Sequence, residues 1–252
     1  MSCAPNVLKK TDYSCFTYEE LLQIAKALNI TFEHKTLSHK ELWLDIYEKL
    51  KNICDNEQCW SRSSFIEGIK DPIIRKKIKY FTFKPKMPET MSAWLSTKDI
   101  NAILQQYELL TNSFLFLGAQ PSDFYKLAKI DYNTLRRFKI IGLVLNLDSH
   151  YKAGSHWVAL VIDNRIKSIE YFDSVGRNPN KNIQSYINVL KTQFPNYVVR
   201  VNKEKHQYKN SECGVYSVYY IVQRILGKTF EEITKHIVHD DVMNIYRKLI
   251  FS

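Results

Sequence analysis

Residues 156–173 read HWVALVIDNRIKSIEYFD, and two β-rich runs lie either side of Asn164 and Arg165. A two-residue connection of this kind joins antiparallel strands. If Asp163 pairs with Ile166, the ladder runs back to set His156 opposite Asp173, on one side of the sheet. Directly opposite residues have Cβ atoms about 5 Å apart, close enough for an imidazole–carboxylate hydrogen bond. Such a pair can simply stabilise a hairpin. It can also hold an imidazole ready to take a proton from a nucleophile.

A nucleophile stands further along, in the segment HQYKNSECGVYSVYYIVQRILG, 206–227. From Val215 the apolar positions Val218, Tyr219, Val222, Ile225 and Leu226 recur with helical period, and Gly227 is a fitting stop. Cys213 therefore opens a helix, where unpaired N–H groups and the macrodipole favour a thiolate. Gly214 leaves room beside the sulfur, and backbone N–H groups there can meet a developing oxyanion. Gln207, six residues upstream, can add a side-chain donor to the same anion. A lone cysteine here would read as a small buried hydrophobe. Cysteine, histidine, aspartate and glutamine together read as a hydrolytic site.

The surrounding pattern is α+β. The runs SFLFLG, RFKIIGLVLNL and YVVRVN are strand-like, as are the two arms of the hairpin. NKNIQSYINVLKTQF and DDVMNIYRKLIF are helical, and QPSDFYKLA is expected to form a short helix opened by Pro121. Ahead of these, FTYEELLQIAKALNI and TLSHKELWLDIYEKLKNI carry helical stripes, with Thr17/Glu20 and Ser38/Glu41 as capping boxes. Pro85 and Pro88 then interrupt regular structure. The division expected is a helical accessory arm over 1–84 and a catalytic domain over 85–252.

The chain has 252 residues, 45% of them hydrophobic, which supplies a packed core and excludes a disordered chain. MSCAPNVLKK lacks the apolar run of a signal peptide, and no apolar stretch is long enough to span a bilayer. Cys3, Cys15, Cys54, Cys59 and Cys213 follow no disulfide pattern, so free thiols in a reducing compartment are expected. A zinc site from His34, His39, Cys54 and Cys59 matches no common finger spacing, so no metal is expected. His206, His236 and His239 read as surface residues. The net charge is +10, densest in RKKIKYFTFKPK, Arg75 to Lys86. With Tyr80, Phe81 and Phe83 interleaved, that segment reads as a basic strand, either solvated or in contact with DNA.

At SHWVALVID, IEYFDS and QYKNSECG the chain resembles the cysteine peptidases of the ubiquitin-like-protein (SUMO) proteases and the adenovirus protease. Their pattern is His-Trp, an acidic residue or Asn ending the next strand, then Gln before Cys-Gly. AWLSTKDIN, 93–101, is similar to the tryptophan-leucine segment that opens their catalytic domain. The resemblance covers about 90–252. It implies a papain-like-clan core with a central mixed sheet flanked by helices, and needs no cofactor. It implies a catalytic set of Cys213, His156 and Asp173, with Gln207 in the oxyanion hole and Trp94 and Trp157 touching substrate at a narrow Gly-Gly channel.

The arm and its CDNEQCW segment resemble the polyprotein-processing proteases of large nucleocytoplasmic DNA viruses, of the African swine fever virus type. That likeness implies cleavage after Gly-Gly-type sites in viral structural polyproteins during virion maturation, in the virus factory of the host cytoplasm and in the virion. Two alternatives stand beside it: removal of ubiquitin-like proteins from host conjugates, and an inactive protease-like module that binds nucleic acid. No membrane partner is implied.

Overall fold

The computed structural model describes residues 2–7, 11–31, 37–90 and 92–252. It forms two compact units, Met1–Pro85 with Ser252, and Lys86–Phe251.

The first unit is helical. Helices α1 (Tyr18–Ala27) and α2 (His39–Leu50) start at Thr17 and Ser38, and both capping boxes are made. A short α3 (Glu57–Trp60) follows. The core gathers Phe16, Leu21, Ile24, Leu42, Ile46 and Trp60, with Phe16 and Trp60 stacked. Glu57 is buried and accepts hydrogen bonds from Ser14 Oγ (2.5 Å), the Cys15 N–H (2.8 Å) and Trp43 Nε1 (2.9 Å). Burial pushes its carboxyl up, against the pull of those bonds.

Four of the five cysteines depart from the free-thiol expectation. Cys3 bonds Cys15 and Cys54 bonds Cys59, leaving Cys213 free. The reason lies in tertiary contacts that spacing does not encode. A β-bridge from Cys3 to Phe83 draws the start of the chain into the Phe16 core, and the Cys3 and Cys15 Cα atoms come within 5.4 Å. The same bonding occupies both sulfurs of the weighed zinc set. Its His39 pairs with Tyr13 Oη through Nδ1 and donates from Nε2 to the Phe16 carbonyl, while His34 lies outside the described residues.

The basic segment is also different in kind. It begins inside helix α4 (Pro72–Tyr80) rather than as a strand. Asp71 caps the first turn through Oδ1, and Pro72 at the first helical position sets the entry angle. Lys77 pairs with Glu20 at 2.6 Å, Lys79 pairs with Glu67, and Arg75 donates to the Glu67 and Ile69 carbonyls. Three of its cations thus have partners in the chain.

The second unit is α+β. Helix α5 (Thr97–Leu110) is capped by Ser96 with Asp99. A five-stranded mixed sheet follows, in the order β1 (Phe114–Pro121), β2 (Ile140–Asn146), β3 (Trp157–Asp163), β4 (Ser168–Phe172) and β5 (Val198–Val201). The outer pairs are parallel and the two inner pairs antiparallel. Pro121 ends β1 instead of opening a helix; the strand continues past a register shift at Phe116/Ala119 to pair with β2, and only a turn of 3-10 helix follows at Phe124–Lys126. The short helix α6 (Tyr132–Leu135) precedes β2.

One face of the sheet packs on helix α7 (Lys181–Gln193) through Val158, Leu160, Ile162, Tyr186 and Leu190. The other face meets α5, helix α8 (Cys213–Ile225), α9 (Phe230–Lys235) and α10 (Asp240–Ile250). Every residue of β3 is buried, as a central strand covered on both faces requires.

Helix α8 is joined to the sheet by charge as well as packing. Arg224 donates from Nε to Glu170 at 2.7 Å and from Nη2 to Asp163 at 2.7 Å. Tyr220 Oη and Ser168 Oγ also donate to the Glu170 carboxylate, each at 2.7 Å. All five groups are buried or close to it. Removing one partner of such a cluster costs about 3–5 kcal/mol, because the remaining charge is left without compensation. Arg224→Met is therefore expected to destabilise this unit by that amount in chemical denaturation, and a loss below about 1 kcal/mol would contradict the role given to the cluster.

Candidate active site

The hairpin places the imidazole and the carboxylate. Its register is Asp163 with Ser168, so the loop is four residues long, not two. Asp163 Oδ1 accepts the Arg165 N–H at 2.9 Å, and Lys167 takes a left-handed φ of 55°, which together close the longer turn. Extrapolating this ladder, His156 and Asp173 are diagonal rather than directly opposite. A shift by two keeps both side chains on one face. They still meet: Nε2 of His156 lies 2.6 Å from Oδ1 of Asp173.

Both ends of that bond are braced. The His156 carbonyl accepts the Leu147 N–H at 2.9 Å. Asp173 is fully buried; its N–H donates to Asn202 Oδ1, its carbonyl accepts Asn202 Nδ2, and Oδ1 also accepts the Val175 N–H at 3.0 Å. Asn202 follows β5, and only the parallel β4–β5 pairing brings it to Asp173. No sequence pattern marks it.

Cys213 stands at the first position of α8, 2% exposed. Helices α1, α2, α5 and α9 each have a full capping box, but α8 begins at Glu212 with no side-chain cap. Its first N–H groups are thus left beside the sulfur by local sequence. Gly214 is needed for a different reason from the space expected: a Cβ there would lie 3.0 Å from Cβ of Leu95, so the 93–95 segment packs directly on the neighbour of Cys213.

Besides Asp173 at Nε2, Cys213 is the other group that acts on the imidazole. Burial alone would disfavour the imidazolium, but the bonds to Asp173 and Cys213 outweigh it and push the pKa up to about 9. The proton is therefore held at neutral pH. Its contribution to stability is full below the unfolded value of about 6.5 and is lost as pH rises through about 9.

Gln207 is buried and held: Oε1 accepts from Ser174 Oγ at 2.6 Å and Nε2 donates to the Lys209 carbonyl at 2.7 Å. These bonds fix which end is nitrogen and leave its second amide proton unspent. Trp157 is buried in the core and donates from Nε1 to the Leu95 carbonyl at 2.8 Å, tying the 93–95 segment to β3. Trp94, next to that carbonyl, is 50% exposed. His206 is not a surface residue as read from sequence; it is buried, with Nε2 at the Thr234 carbonyl and Nδ1 accepting the Val238 N–H. Burial holds it below the ordinary histidine range. His236 and His239 are exposed.

A thiol at an uncapped helix start, acting on an imidazole that a buried carboxylate orients, is the equipment for nucleophilic acyl transfer. Residues 105–251 match the model of the Ulp1 protease family, C-terminal catalytic domain. The chain belongs to that family and is a cysteine peptidase.

Its relatives are viral. A protein of Acanthamoeba polyphaga mimivirus named as a thiol protease is 27% identical over 280 residues, covering 99% of this chain and 92% of the relative. A SUMO-1 cysteine protease of African swine fever virus is 26% identical over 257 residues, covering 89% of this chain and 94% of the relative. The crystal structure of an African swine fever virus protease has the same fold, with a TM-score of 0.72 and 23% identity across 100% of this chain and 95% of that one.

Two outcomes follow from the geometry. Asp173→Asn removes the charge that raises His156, so the alkaline limb of the kcat/KM profile, near pH 9 in the wild type, moves to lower pH; an unmoved limb would contradict the assignment. Gly214→Ala forces Leu95 outward and is expected to lower kcat/KM by about tenfold or more, with an unchanged rate showing that the 93–95 segment does not matter.

Proposed function

We propose that the protein is an endopeptidase that cleaves after Gly-Gly-type sites, with viral structural polyproteins as substrate during virion maturation. Cys213 is the nucleophile, His156 the general acid and base, and Asp173 the residue that orients His156. Gln207 Nε2 and the first N–H groups of α8 receive the oxyanion. The observation that carries this reading is the 2.6 Å His156–Asp173 bond, with Cys213 acting on the same imidazole from the start of α8.

In the first half-reaction the thiolate attacks the glycine carbonyl carbon. A C–S bond forms and the oxygen takes the negative charge. The C–N bond breaks as the imidazolium gives its proton to the leaving amine. Water then attacks the thioester while His156 takes its proton, the C–S bond breaks, and the proton returns the site to its starting state.

A glycine before the cut is what the family resemblance implies for a site where Leu95 lies against Gly214 and Trp157 donates to the Leu95 carbonyl. Exposed Trp94 and buried Trp157 are the proposed substrate contacts. The polyprotein reading rests on the resemblance of the arm and core to viral polyprotein-processing proteases; the name of one relative, a SUMO-1 cysteine protease, points instead to the ubiquitin-like alternative. The proposed place of action is the virus factory in the host cytoplasm and the virion.

Purified protein should be incubated separately with the viral structural polyprotein and with a SUMO precursor. Cleavage of the first at Gly-Gly, lost in Cys213→Ala, is the expected result. Cleavage of only the second would contradict the maturation role and leave the peptidase chemistry in place.

A further inference from the structure

Helix α10 buries Asp240, Met243, Arg247 and Ile250 along one stripe. Amphipathic periodicity asks for an apolar side chain at position 247, yet an arginine lies there with 0% exposure. Burying a guanidinium is costly unless its donors are used. Nη1 of Arg247 donates to the Ala93 carbonyl at 2.8 Å, and Nη2 donates to the Ser211 carbonyl at 3.1 Å. Among the described residues its Nε has no partner.

Both acceptors belong to the site. Ala93 directly precedes Trp94 and Leu95, the segment that packs on Gly214 and bonds Trp157. Ser211 lies two residues before Cys213, in the loop that leads into α8. One planar fork therefore holds the two pieces of backbone that border the nucleophile. No carboxylate forms an ion pair with it at contact distance among the described residues, so its charge is not cancelled locally. The acidic groups that act on it electrostatically are Glu212 on the nucleophile loop, Cys213 on α8 and Asp99 on α5; burial nonetheless leaves the guanidinium below its ordinary value. On the opposite side, His156 faces Cys213 from the start of β3.

We infer that Arg247 is a positioning residue for the proposed reaction: its fork sets the 93–95 segment against the Cys213 loop, and its buried positive charge acts electrostatically on the Cys213 sulfur. The inference rests on Cys213 being the nucleophile. Lysine would keep the charge but cannot span two carbonyls in the same plane, and methionine would remove both functions.

The test measures iodoacetamide alkylation of Cys213 against pH by peptide mapping, alongside kcat and KM for a Gly-Gly peptide, in the full chain. In Arg247→Met the alkylation profile is expected to move to higher pH, with labelling at pH 6 slower by about threefold or more, and kcat/KM to fall. In Arg247→Lys the alkylation profile stays near wild type while kcat/KM still falls. A purely structural arginine would not move the alkylation profile. A folded Arg247→Met chain with wild-type alkylation and kinetics overturns the inference. Should that variant fail to fold, Arg247→Lys decides, and wild-type kcat and KM there overturn it equally. If wild-type Cys213 shows no alkylation that depends on His156, the nucleophile reading fails and this inference with it. A reactive wild type with insensitive Arg247 variants overturns this inference alone.

Discussion

Helix α8 is held against strands β3 and β4 by the cluster of Arg224, Asp163, Glu170 and Tyr220, and the site depends on that attachment. The cluster lies near the C-terminal end of the helix, and Cys213 lies eleven residues away, about 16 Å along the axis. The antiparallel β3–β4 hairpin spans the same length: its turn end meets Arg224, and its open end presents His156 and Asp173. The hairpin and the helix are thus registered at one end by charge and deliver their reactive groups at the other. A core of apolar side chains alone would resist sliding less strictly, because ion pairs with fixed geometry select one alignment.

Around Cys213 the fold leaves polar groups unspent where the proposed chemistry needs them. Four other helices of the chain close their first turns with capping boxes, while α8 opens with none. Gln207 uses one amide proton to hold its orientation and keeps the other. Asp173 accepts from His156 and Val175 through Oδ1, so the imidazole is aimed by a carboxylate that is itself fixed by Asn202. The consequence is an imidazolium held against burial up to about pH 9.

Much of this was legible in the sequence because it rests on local rules. Capping boxes at Thr17 and Ser38, the helical period after Cys213, and the paired strands around residues 164 and 165 depend on neighbours within a few positions. What was not legible depends on distant parts of the chain. The hairpin loop is longer than its apolar edges imply because Asp163 turns back to the Arg165 N–H. The Cys3–Cys15 bond draws on the bridge from Cys3 to Phe83, eighty residues on. The basic segment reads as a strand by its aromatic content, yet Asp71 and Pro72 start a helix that carries Lys77 to Glu20. His206 is polar in sequence and buried in fact, because residues 234–238 cover both its ring nitrogens.

The central claim is that Cys213, His156 and Asp173 act as one nucleophilic unit. Its most direct test is labelling by a peptide aldehyde or vinyl sulfone ending in Gly-Gly, followed by peptide mapping. The account predicts a single adduct on the Cys213 sulfur, with the rate collapsing in His156→Ala. Labelling elsewhere, or labelling of Cys213 at an unchanged rate in His156→Ala, would contradict it.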